Sequence, residues 1–174
     1  MVPVDKLRKA NIQRFDIIVN MLFIDWYYKK NDCGYRLYEL SKQHGPSKFI
    51  RLIKSFENAG FNRKFLPVTE DYYLNGDGAH RLSCCLYFDL KNVPAEVDQK
   101  KYKYVNHYGL KWLKSNYSDC DIEKIVNFYC KIHFNNLQKI KNKIFNLIKS
   151  NYDDTQIENV DKYLELLFDI NNVN

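Results

Sequence analysis

The sequence predicts an α/β (α+β) protein: a small mixed sheet preceded by helices and followed by a helical extension. Three observations carry that prediction. Apolar residues recur at helical spacing from Phe15 to Trp26 and from Phe49 to Phe56. Between Phe65 and Val97 the periodicity gives way to short β-type runs separated by Gly, Pro, Asn and Asp. After Val97 the helical period returns with a basic character. The expected division is residues 1–106 for the core with its leading helices, and 107–174 for a helical extension packed on it.

The elements follow in order. Residues 4–13 are a short polar helix or lead-in. Phe15, Ile18, Val19, Leu22 and Trp26 form the stripe of a helix that ends at Lys29–Asp32, before a turn at Cys33-Gly34. Tyr35 to Lys42 is a short helix stopped by Gly45-Pro46. Ser47 is the expected N-cap of the next helix, which carries Phe49, Leu52, Ile53 and Phe56 and stops at Gly60. Phe65–Thr69 and Tyr72–Leu74 are strand candidates on either side of a Glu70-Asp71 turn, and Asn75–Gly78 is a glycine-rich turn. Ala79–Phe88 is a helix and Asn92–Val97 a third strand. A short helix carries Leu110, Trp112 and Leu113. Ser118 or Asp119 then caps a long helix to about Ser150, with Ile122, Val126, Tyr129, His133 and Leu137 on its stripe. Asp153–Thr155 opens a last helix through Phe168.

Composition bounds the function. The chain has 174 residues, 45% hydrophobic and 28% charged, which is enough to bury a core. Its net charge of +6 permits a phosphate-bearing ligand or nucleic acid and demands neither. The high Tyr, Phe, Asn and Lys content matches the codon bias of an AT-rich genome, so no single Tyr or Asn carries a signal. Five cysteines, with Cys84 and Cys85 adjacent, suit neither a disulfide framework nor a zinc knuckle and point to a reducing compartment. The N-terminal residues have no apolar signal core, and the run Ile17–Phe23, broken by Asn20, is too short to cross a bilayer. A cytoplasmic protein without membrane insertion is expected.

The chemistry-bearing segment is Tyr72-Tyr73-Leu74-Asn75-Gly76-Asp77-Gly78-Ala79-His80-Arg81-Leu82. Gly76 and Gly78 permit positive φ and a close backbone approach by a ligand. The first amides of the following helix, at Ala79 and beyond, lack intrahelical partners, and the dipole favours an anion there. Arg81 offers a fork of donors to phosphate, and His80 can donate a hydrogen bond or move a proton. Asp77 beside a phosphate is costly unless it holds a metal ion, pairs with Arg81 or accepts a proton. The plainer alternative makes Asp77 the helix N-cap, with Arg81 pairing back to it and His80 on an exposed face.

The stretch from about Phe49 to Val97 resembles the ParB/sulfiredoxin fold. The resemblance rests on Phe65-Leu66-Pro67-Val68, then Asp77-Gly78-Ala79-His80-Arg81, the helix Leu82–Phe88, and Val93-Pro94-Ala95-Glu96-Val97. Sulfiredoxins carry a catalytic cysteine where this chain has Ala79, which disfavours that chemistry. ParB proteins carry an Arg-rich box and a downstream helix-turn-helix; a lone Arg81 disfavours nucleic-acid binding, which stays as the alternative. The motif best fits the small-molecule kinase branch, including free-serine kinases. That likeness implies ATP or ADP with Mg2+, phosphates on Gly76, Gly78, Ala79, His80 and Arg81, the metal on Asp77, and a small hydroxyl substrate. Arg14-Phe15-Asp16, Ile24–Tyr28, Tyr38, Gln43-His44 and Tyr108–Leu113 resemble ParB-like proteins of bacterial surface-polysaccharide loci, which implies a role in glycan synthesis or a degenerate ligand-binding partner.

A kinase needs a carboxylate at the acceptor hydroxyl. If Asp77 serves the metal, Asp16, Glu39 and Glu57 remain as bases, with Glu39 first because Gln43 and His44 lie near it. Lys48 and Arg51 are placed to face the same phosphate, or else form a solvated helix face. Cys84 and Cys85 read as core residues backing the motif. His133 reads as a packed histidine on an apolar stripe, and His107 has no partner in sequence. The lysines Lys139, Lys141, Lys143 and Lys149 read as a wet helix face.

Overall fold

A computed structural model describes residues 1–61, 64–98 and 108–134, together with positions 142, 144 and 146. The fold mixes helices with two small two-stranded sheets. The chain divides into two compact units, Met1–Asn11 with Asp16–Val105, and Ile12–Phe15 with Asn106–Asn174.

The first unit begins with β1 (Val2–Pro3) and α1 (Val4–Ala10). Helix α2 (Phe15–Lys29) follows. Every residue from Ile17 to Ile24 is buried, Asn20 included. The single stripe expected from periodicity is thereby corrected: α2 is buried on every face from Ile17 to Ile24, as its nearly unbroken apolar run allows, and only Asp25–Lys29 reach the surface. Next come α3 (Gly34–Leu40) and α4 (Pro46–Ala59). The N-cap of α4 is Gly45, with no side-chain cap, and not Ser47. Pro46 takes the first helical position, where its fixed φ fits and its missing N–H is not needed. Gly60 closes α4 at φ 64°, and its amide donates to the Phe56 carbonyl at 2.9 Å.

Strand β2 (Leu66–Thr69) leads to a tight reversal. The second expected strand, Tyr72–Leu74, is reduced to one antiparallel bridge between Val68 and Leu74. Tyr72 sits at φ 67°, which breaks the extended run. Asn11 instead clamps this segment: its amide group donates to the Leu7 and Tyr72 carbonyls, and its Oδ1 accepts from the Leu74 amide. Helix α5 (Ala79–Tyr87) comes next, then β3 (Asn92–Val93) and β4 (Ala95–Asp98). The single strand expected over Asn92–Val97 is split at Pro94, which has no N–H to extend a ladder and whose carbonyl accepts from the Leu66 amide. β3 pairs antiparallel with β1, whereas β4 pairs parallel with β2 in the register Leu66↔Ala95. β2, α5 and β4 therefore form a β–α–β crossover.

The second unit contains α6 (Leu110–Asn116) and α7 (Asp119–His133). Ser118 caps α7, its hydroxyl accepting from the Asp121 amide at 3.3 Å. Phe15 packs at 5.0 Å against the Tyr129 ring, tilted by 34°; Ile122, Ile125, Val126 and His133 are also buried. The long helix expected to Ser150 ends at His133, because Phe134 is extended and buried. Positions 142, 144 and 146 are helical again. The expected helix over 153–168, His107 and the lysines at 139, 141, 143 and 149 lie outside the described residues. Among the described residues no helix is long and apolar enough to cross a membrane.

Candidate functional site

The first unit holds a cleft of about 500 Å³ between α4 and the start of α5. Its α4 wall carries Lys48, Arg51 and Ser55, three to four residues apart and thus on one helical face, with Leu52 and Phe49 on the same wall. Lys64, Asp77, His80 and Arg81 line the opposite side, and His44 is also at the cleft.

The reversal after β2 explains how these residues meet. The chain returns alongside β2, so that Leu74 bridges Val68 and the Asn75 amide donates to the Pro67 carbonyl. Gly78 then lies beside Leu66 at the start of the strand. A Cβ on Gly78 would stand 3.1 Å from Leu66 Cδ2, and φ there is 130°. Its glycine is required by packing and backbone conformation. Gly76, at φ 81°, faces open space. Neither glycine lines the cleft, and nor does Ala79, which is buried. What the turn presents to the cleft is Asp77, His80 and Arg81.

Arg81 is less free than the sequence implies. Its Nη1 donates to the carbonyls of Phe65 (3.1 Å) and Lys64 (3.4 Å), while Nη2 lies 3.8 Å from Asp77 Oδ2. The guanidinium thus ties the chain before β2 to α5 and still puts its charge in the cleft. Asp77 is not the helix N-cap; Gly78 is, and no side chain caps α5.

His80 is held on two sides. Its Nε2 lies 2.9 Å from the Tyr38 hydroxyl, and its ring meets Phe49 edge-on at 4.6 Å. Burial pushes the Tyr38 phenol well above its usual range, so it stays a neutral hydroxyl. Such a hydroxyl donates to a neutral imidazole and accepts from a protonated one, so it fixes the ring in either state. The exposed His44 ring is 5.5 Å away.

The remaining candidates lie elsewhere. Glu39 is exposed on α3, Glu57 is exposed on α4 and Asp16 is buried on α2; none lines the cleft. Cys84 and Cys85 are fully buried. Burial raises both thiols, Cys85 to about 12, which keeps them protonated and unreactive. Lys64 and Tyr38 were not read as site residues from spacing. Their roles depend on contacts across 17 and 42 residues, and no local pattern marks those.

The donor set suits an anion. Four basic side chains face a single carboxylate, at the positive end of a helix. It does not suit a metal ion held by the protein. Asp77 is exposed and already beside Arg81, and no group of three His, Cys, Asp or Glu among the described residues is placed to hold one. No protein-family model matches the chain, and no curated protein or solved structure matches it either.

Proposed function

We propose that the α4–α5 cleft binds a phosphate-bearing nucleotide such as ATP or ADP, and that the chain transfers a phosphoryl group from it to a small hydroxyl compound. The observation that carries this reading is the convergence of Lys48, Arg51, Lys64 and Arg81, with His80, at the start of α5. The β2–α5–β4 crossover bearing Asp77–Arg81 supports a ParB/sulfiredoxin-like arrangement as part of the same proposal. In the transfer, the acceptor oxygen attacks the terminal phosphorus and the bond to the bridging oxygen breaks. The acceptor proton passes to Asp77, the carboxylate within the cleft. The cations and the His80 ring offset the charge that develops on the transferred group. Glu39 has no part in this reading because it lies outside the cleft.

Arg81→Ala is a poor probe, since it removes the tether to Lys64 and Phe65 together with a charge. Lys48 and Arg51 are exposed and serve better. Calorimetric titration with ADP should show the Lys48→Ala/Arg51→Ala variant binding at least about tenfold more weakly, with its thermal midpoint unchanged. Unchanged affinity in that variant would remove the cleft as the binding site. Asp77→Asn should lower turnover, followed by ³¹P NMR, while ADP affinity is kept. Equal turnover would remove the transfer step and leave binding.

A further inference from the structure

We infer that the cleft takes its ligand as a metal-free di- or triphosphate, with Lys48, Arg51, Lys64 and Arg81 doing the charge neutralisation that a magnesium ion otherwise provides. This rests on the anion-binding reading above and narrows its ligand class. Every Asp and Glu of the first unit lies at a described position, and of these Asp77 alone lines the cleft. The undescribed stretches of that unit, 62–63 and 99–105, contain no acid at all. A magnesium ion entering with a nucleotide is normally held by one or two carboxylates besides the phosphates. Among the described residues the single candidate is 88% exposed and lies 3.8 Å from Arg81, so the ion would sit among cations.

The number of cations and the length of the α4 wall set the ligand class. One phosphomonoester carries about −1.5 to −2 at neutral pH, which two cations already offset. Four cations against one carboxylate match a longer anion. The cleft wall on α4 runs from Lys48 to Ser55, seven residues or about 10 Å along the helix, which exceeds a single phosphate; it carries cations at Lys48 and Arg51 and a hydroxyl at Ser55. A chain of two or three phosphates lying along α4 meets Lys48 and Arg51 on one side and Lys64 and Arg81 on the other.

The test is calorimetry on the full chain with ADP, inorganic pyrophosphate and orthophosphate. Each is titrated in EDTA and in excess magnesium, with ionic strength matched by sodium chloride. Expected are binding of ADP and pyrophosphate in EDTA, orthophosphate weaker by about tenfold or more, and a loss of apparent affinity of about tenfold when magnesium occupies the phosphates. Equal or tighter binding with magnesium, or orthophosphate binding as well as pyrophosphate, overturns this inference while leaving the anion cleft standing. No binding in either condition removes the cleft itself, and the inference with it.

Discussion

Gly34 has no room for a methyl group. A Cβ there would overlap the Leu22 carbonyl oxygen and stand 2.7 Å from Trp26 Cβ, so α3 starts where it does because its first residue is glycine. Its amide donates to Asn31 Oδ1 at 2.7 Å, and Asn31 in turn donates to Leu22 and Asp25. Gly34→Ala should therefore cost on the order of 3 kcal/mol. Gly78→Ala combines φ 130° with a close Leu66 and should cost about 2 kcal/mol. Gly76→Ala, strained but in open space, should cost about 1 kcal/mol. Urea midpoints of the three variants check the order; Gly76→Ala as the most damaging would show that the turn packs differently.

At the scale of elements, α2 and α5 are joined by polar contacts as well as by core packing. Ser83 Oγ donates to the Ile17 carbonyl, and Tyr87 donates to Asp25 Oδ1 at 3.2 Å. Burial alone would raise the Asp25 carboxyl, but the bonds from Asn31, Lys29 and Tyr87 hold it below its usual value. A carboxyl lowered by folding adds stability above its unfolded pKa, and that stability is lost as pH falls toward its folded value. Acid unfolding of Asp25→Asn should accordingly show less loss of stability than the parent as pH falls below about 5. An unchanged pH profile would remove Asp25 as a contributor. The helices of the first unit were legible because their apolar residues repeat at helical spacing. The sheets were less so. The Tyr72–Leu74 segment has strand composition, but beyond its single bridge to Val68 it is held by the Asn11 side chain, 61 and 63 residues away. Asn92–Val97 reads as one strand, yet Pro94 sends its halves to different partners. Long-range pairing of this kind leaves no trace in local period.

At the scale of the whole molecule, the cleft is an assembly of segments that carry no joint signal. The turn Asp77–Arg81 was legible as a charged turn at a helix start, but its glycines, expected to admit a ligand, serve backbone conformation and packing instead. That Lys48 and Arg51 face it follows only from the packing of α4 against α5. That Lys64 joins them follows from the reversal after β2, which returns the chain to the beginning of the strand it has just left. Phosphate turns of parallel α/β sheets lie beyond the carboxyl ends of their strands. Here the helix start is drawn back beside Leu66, and the cations of α4 provide the second wall. The central claim is that these walls enclose an anion. A crystal structure of the chain grown with ADP tests it most directly. The account predicts phosphate density between α4 and α5, within hydrogen-bond reach of Lys48, Arg51 and His80. Phosphate density at another surface, with the α4–α5 cleft holding only solvent, would contradict it.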